Sequence, residues 1–144
     1  MSRHEHFRKL ERLYQRASCN EYYAPVLTVS EAASEVIVPV RPQFFHAGRA
    51  VHGSVYFKVL DDAAYFAVNS LVDDVAVLTV TFTVHFMRPV SEGQLKATGR
   101  VVHASERLFF AESTLTDSAN QILAGAQGTF VRSRVALSPD IGYE

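Results

Sequence analysis

The sequence predicts an α+β fold in which one antiparallel sheet wraps around a single long, buried helix. Three observations carry this. Residues 53–71 are apolar or small around nearly the whole helical circumference, with no charge from Ala63 to Leu71. Residues 75–132 read as β-branched and aromatic runs separated by short polar turns. A charged, amphipathic segment stands apart at the N-terminus. One helix beside a meander of strands leaves few ways to bury both apolar faces except helix against sheet.

The 144 residues are 48% hydrophobic and 20% charged, so the chain can bury a core as one domain spanning 1–144, with disorder expected only at its ends. A net charge of -1 argues against a general nucleic-acid binder. The single cysteine, Cys19, cannot form an internal disulfide, points to a reducing compartment and reads as a bystander. No apolar run reaches the ~20 residues that span a bilayer. The opening Met1-Ser2-Arg3-His4-Glu5-His6 has no apolar stretch behind it, unlike a signal peptide. A soluble, cytoplasmic protein without a membrane partner is expected.

Each element follows from its local pattern. Over about residues 4–17, Phe7, Leu10, Leu13, Tyr14 and Ala17 recur at helical spacing and predict a short helix on the domain edge. Ser34 to Arg41 alternates and is rich in Val and Ile, predicting the first strand, which Pro42 ends. Gln43 to Val51 reads as an irregular loop. In the buried helix, Val55, Val59, Asp62, Ala63, Phe66, Ala67 and Ser70 keep helical spacing. Strands are then expected over Val75–Phe86, Gln94–Ala104, Leu108–Thr116 and Gln121–Arg132. The core is placed at about 34–134, with a C-terminal tail at 135–144. A sheet of five to six strands this small leaves exposed edges, which dimerisation commonly covers.

The chemistry concentrates in His52-Gly53-Ser54-Val55-Tyr56-Phe57-Lys58-Val59-Leu60-Asp61-Asp62. The first N–H groups of a helix lack internal acceptors, and the dipole makes that end positive. A glycine there admits a ligand close to the backbone. This suits an anion, or a carbonyl oxygen that becomes one during reaction. Asp61 and Asp62 point about 100° apart on a helix, so one can line a cleft while the other is paired; both can also be structural.

His-Gly-small followed by an acid eight positions after the glycine, Gly53 to Asp61 with Ala63 beyond, resembles the signature of the PaaI-like hotdog-fold thioesterases. Leu78 to Pro89, ending in Phe86-Met87-Arg88-Pro89, is similar to the family's first long strand. Gly93–Val102 and Gly125–Phe130 resemble later strands, and the resemblance runs from about Ser34 to Arg134. It implies a hotdog fold and hydrolysis of an acyl- or aryl-CoA. Gly53, with Ser54, would supply the oxyanion contact, and Asp61 would be nucleophile or general base. Thr79 falls where relatives carry a Ser or Thr that orients the acid or water; it reads equally as one β-favouring threonine among several. The chain departs from the pattern at His46, where relatives carry Asn or Gln, and at Ser54, where they carry a second glycine. His46 is a variant positioning group or a loop residue. His52 is expected at the helix entrance, structural before catalytic.

Eight helical residues rise ~12 Å, so Gly53 and Asp61 of one helix can hardly reach one carbonyl. The site is expected to join two subunits in a homodimer, with pairing of dimers into a tetramer a further expectation. Tyr56, Phe57 and Tyr65, with Phe66, are candidate acyl liners. Arg88, Lys96, Arg107, Arg132 and Arg134 are basic residues available to the CoA phosphates. No metal or other cofactor is expected, since His85 and His103 lack clustered partners and His4 and His6 lie at the frayed start. Two other readings are a non-catalytic acyl-CoA sensor, disfavoured by retention of Asp61, and a hotdog enoyl-CoA hydratase or dehydratase pairing His46 or His52 with Asp61.

Overall fold

The computed structural model describes all 144 residues. Helix α1 covers Arg3–Arg16 and a single turn, α2, covers Asn20–Tyr23. Strands β1 (Val26–Ser30) and β2 (Ala33–Pro39) form a hairpin that precedes the long helix α3 (Gly53–Asn69). Then come β3 (Val75–Phe86), β4 (Gln94–Ala104), β5 (Phe109–Thr116) and β6 (Ile122–Ala136). The six strands form one sheet in the order β1-β2-β4-β5-β6-β3, every pair antiparallel.

Helix α3 lies on the inner face of this sheet, and Val59, Leu60, Ala63, Ala64 and Ala67 are shut off from solvent. Small residues in the strands allow the close seat. Ser34 Oγ donates to the Ala63 carbonyl at 2.6 Å and Ser113 Oγ to the Leu60 carbonyl at 2.8 Å. At Gly99 an added Cβ would fall 2.3 Å from the Ala63 carbonyl oxygen, so that crossing excludes any side chain.

Strand β1 lies before Ser34, where the sequence pattern predicts the sheet to begin. Its five residues do alternate, with Leu27 and Val29 inward, but Pro25 and the short run mask the signal. The two sheet edges differ. At β1, Glu11 Oε1 accepts the Val29 N–H at 2.8 Å and Arg8 donates to the Val29 carbonyl at 3.0 Å, so α1 occupies that edge. At β3, Asn69 Oδ1 accepts the Val77 N–H at 3.0 Å. From Leu78 to Phe86 no side chain of the chain bonds to the strand backbone, and Leu78 and Val80 are 55% and 56% exposed.

The chain ends are not frayed. His6 is 3% exposed. Its Nε2 lies 2.9 Å from the Asn69 carbonyl, which can only accept, so Nε2 carries the proton; in the neutral ring Nδ1 then accepts from the Tyr143 hydroxyl at 2.7 Å. Arg12 and Arg16 both hold Glu144. The expected loose tail is instead β6 continuing to Ala136, then a 3₁₀ turn at Pro139–Ile141 and buried Tyr143.

Candidate active site

Three of the residues singled out from the sequence share one ridge of α3. Gly53, Phe57 and Asp61 recur every fourth position and therefore stack along one face. That face lies along β3, which runs the opposite way. An added Cβ at Gly53 would fall 3.0 Å from the Phe86 ring. Phe57 packs edge-on against Phe82 at 5.2 Å between centroids. Asp61 Oδ1 accepts from Thr79 Oγ1 at 3.0 Å. The ridge therefore follows the open edge of the sheet.

The adjacent carboxylates separate as their 100° offset requires. Asp62 accepts from the Tyr14 hydroxyl at 2.6 Å and from Lys58 Nζ at 2.5 Å, both on Oδ2. Asp61 is half-buried and its one side-chain donor is Thr79. Burial pushes the Asp61 carboxyl up to about 6; Thr79 and Lys58 favour the charged form, while Asp62 opposes it. A carboxylate poised this near neutrality is suited to act as a base.

The start of α3 is built by His52. Its Nδ1 accepts the Ser54 N–H at 3.0 Å, making it the N-cap. The Val55 N–H bonds to the His52 carbonyl at 3.0 Å. The cap engages the Ser54 amide, and the Ser54 hydroxyl lies 2.8 Å from the same His52 nitrogen. The Gly53 N–H is left without an acceptor in the chain. His46 stands beside it, its ring edge-on to His52 at 6.4 Å. The Gly48 N–H donates to His46 Nδ1 at 2.9 Å, so the proton of the neutral ring sits on Nε2. His46, Gly53, Tyr56, Phe86, Met87 and Arg88 line a common groove at this helix end.

A family model described as the thioesterase superfamily matches residues 48–124, more than half of the chain. The chain belongs to the thioesterase superfamily. Among curated proteins, a candidate esterase of Saccharolobus solfataricus is 30% identical over 84 residues, 58% of this chain and 56% of that protein. The match thus spans little more than half of that relative's length. A candidate esterase of Thermoplasma volcanium is 22% identical over 102 residues, 71% of this chain and 77% of that protein. Among solved structures, the Escherichia coli PaaI protein from the phenylacetic acid degradation operon superposes with a TM-score of 0.85 at 20% identity, covering 94% of this chain and 98% of that one. A Haemophilus influenzae thioesterase gives a TM-score of 0.78 at 15% identity, covering 87% and 88%. The fold shared with these structures is the hotdog fold.

Within this superfamily member the remaining predicted residues divide. Tyr56 is buried, stacked near Phe86 at 5.8 Å, and its hydroxyl donates to the Arg88 carbonyl at 2.6 Å. It fixes the wall of the groove. Arg88 is exposed at the groove mouth. Phe57 is 42% exposed beside Phe82. Tyr65 packs on Phe66 at 4.9 Å, and burial pushes its hydroxyl up to about 12. Sequence reasoning missed Lys58, Tyr14 and Phe82. Lys58 stands one helical turn before Asp62, a spacing that pairs opposite charges and was available in the sequence. Tyr14 comes from 48 residues away, and no local pattern announces it.

Proposed function

We propose that the protein hydrolyses acyl- or aryl-CoA thioesters as a homodimer, with Gly53 of one protomer and Asp61 of the other meeting at each site. The observation that carries this reading is the contrast between the two aspartates. Asp62 is consumed by Tyr14 and Lys58, whereas Asp61 keeps free lone pairs beside Thr79. The carbonyl oxygen of the thioester is received by the Gly53 N–H, with His46 Nε2–H as a second donor. Asp61 attacks the carbonyl carbon or removes a proton from the water that does. The tetrahedral oxyanion collapses and the C–S bond breaks. On the water route the proton taken by Asp61 passes to the CoA sulfur and the acid forms directly; on the nucleophilic route CoA leaves as thiolate, and water then hydrolyses the mixed anhydride on Asp61, freeing the acid, restoring the carboxylate and supplying the thiol proton.

The open β3 edge supports the dimer. A two-fold axis beside β3 pairs the strand with its own copy and sets the two α3 ridges antiparallel. The ~12 Å between Gly53 and Asp61 along one helix is then bridged across subunits rather than within one. Phe57 and Phe82 lie between these ends and would flank the acyl group, while Arg88 at the mouth suits a CoA phosphate. No helix is long and apolar enough to cross a membrane, and a cytoplasmic setting with further pairing into tetramers fits the same reading.

The test is CoA release from short, medium and long straight-chain and aryl-CoA thioesters, by wild type and Asp61→Asn. Loss of a general base or nucleophile should lower kcat by about 10²–10⁴-fold. Equal release by both proteins would overturn the mechanism. Tight acyl-CoA binding without turnover would favour the sensor reading, and turnover confined to enoyl-CoA the hydratase reading.

A further inference from the structure

Asp62 stands next to Asp61 in sequence, yet every contact it makes leads away from the ridge. Lys58 Nζ and the Tyr14 hydroxyl converge on one oxygen, Oδ2, at 2.5 and 2.6 Å. Lys58 is itself boxed in. Its ammonium sits 5.3 Å above the Tyr14 ring and 5.2 Å above the Tyr23 ring, and both side chains of the pair are only 18% exposed. The arrangement joins three elements, α1, α2 and α3, and two of these lie outside the segment 48–124 that the family model matches. It places a carboxyl that burial pushes up, and that Lys58 and Tyr14 hold toward its charged form, within one helical turn of Asp61 together with the Lys58 ammonium.

We propose that Lys58 and Asp62, held in place by Tyr14, are positioning residues that set the electrostatic environment of Asp61 without touching substrate. The inference rests on the assignment of Asp61 to the chemistry. The groups whose charge or hydrogen bond acts on Asp61 are Lys58 and Asp62 from its own helix and Thr79 from β3; Tyr65 in turn feels Asp61, and Tyr14 and Tyr23 stand against the pair. Asp62 disfavours the charged form of Asp61 and Lys58 favours it. The two charges act with opposite signs, so their removal must have opposite effects. With Asp62 neutral, Asp61 ionises more readily; with Lys58 neutral, less readily.

The experiment is a pH titration of aspartate carboxyl carbons by 13C NMR in the full-length protein, with the Asp61 signal assigned by its loss in Asp61→Asn. Asp62→Asn should lower the Asp61 midpoint, and Lys58→Met should raise it, each by about half a pH unit or more, as nearby charges at partly buried sites do. No movement in either variant, or movement of both in one direction, would overturn the proposal. If Asp62→Asn does not fold, Lys58→Met decides alone: an unmoved midpoint refutes the pair's role. The acid limb of kcat/KM, measured on the same variants, separates the two levels. Midpoints that move while the acid limb stays put uphold the Lys58–Asp62 pair and remove Asp61 from the reaction.

Discussion

Asp61 is kept where a carboxylate is costly to charge. Its ionisation midpoint of about 6 lies above the ordinary 3.8, so the folded state holds the proton more tightly than the unfolded chain does. The sign follows directly. Above pH 6 the side chain is ionised in both states, and the fold bears the whole penalty of burying that charge. As pH falls through 6 the folded protein takes up its proton, and by pH 4 the penalty has gone. Asp61→Asn should therefore stabilise the protein at pH 8, by about 1–3 kcal/mol, while lowering kcat by about 10²–10⁴-fold. The gain should shrink steadily toward pH 4. Urea unfolding of both proteins at several pH values measures this. A variant less stable than wild type at pH 8 would show that Asp61 supports the fold rather than the chemistry. Such a trade, stability surrendered at a working site, is the usual signature of a functional residue.

Strand β3 and its counterpart β1 show how one sheet treats its two margins differently. An unpaired strand edge is a template for association, and proteins block the ones they do not use. Here β1 is blocked by Glu11 and Arg8 of α1, while β3 is twelve residues long and exposes Leu78 and Val80 beside the ridge of Gly53, Phe57 and Asp61. Lysines at both positions, Leu78→Lys with Val80→Lys, should bring like charges together across a β3–β3 junction. The double variant is expected to run as a monomer in size-exclusion chromatography with light scattering, with CoA-thioester hydrolysis down by about two orders of magnitude or more because each site loses half its groups. A monomer of undiminished activity would refute the shared site. The bounds of β3 and β4 were legible in the sequence to the residue, because alternation and turn chemistry are local. The edge asymmetry was not. It depends on where α1 lands, and nothing in residues 3–16 states which strand they will cover.

The same limit explains the chain ends, where the sequence predicts disorder and a tail. His6 looked like part of a polar start, yet it reaches the last turn of α3 and the penultimate residue of the chain. Only the closed fold brings residues 6, 69 and 143 together, so no window of sequence contains the signal. The arrangement has a consequence for the site. Asn69, whose carbonyl receives His6, also accepts the Val77 N–H at the start of β3 and donates to the Val72 and Val75 carbonyls. The terminal lock thus steadies the corner from which α3 passes into β3, and both Asp61 and Thr79 hang from those two elements. Tyr143→Phe removes one hydrogen bond and should lower stability by about 1 kcal/mol, or about 2–4 °C in Tm for a domain of this size. Tyr143→Ala also takes out the ring that packs edge-on against His6 at 5.7 Å, and a loss of about 2–4 kcal/mol is expected. Hydrogen exchange distinguishes a local from a general effect. If the lock acts through Asn69, the Val77 amide should lose protection in Tyr143→Ala by a larger factor than the amides of β4 and β5. Uniform loss across the sheet would mean that Tyr143 contributes to the core at large and has no particular hold on the corner beneath the site.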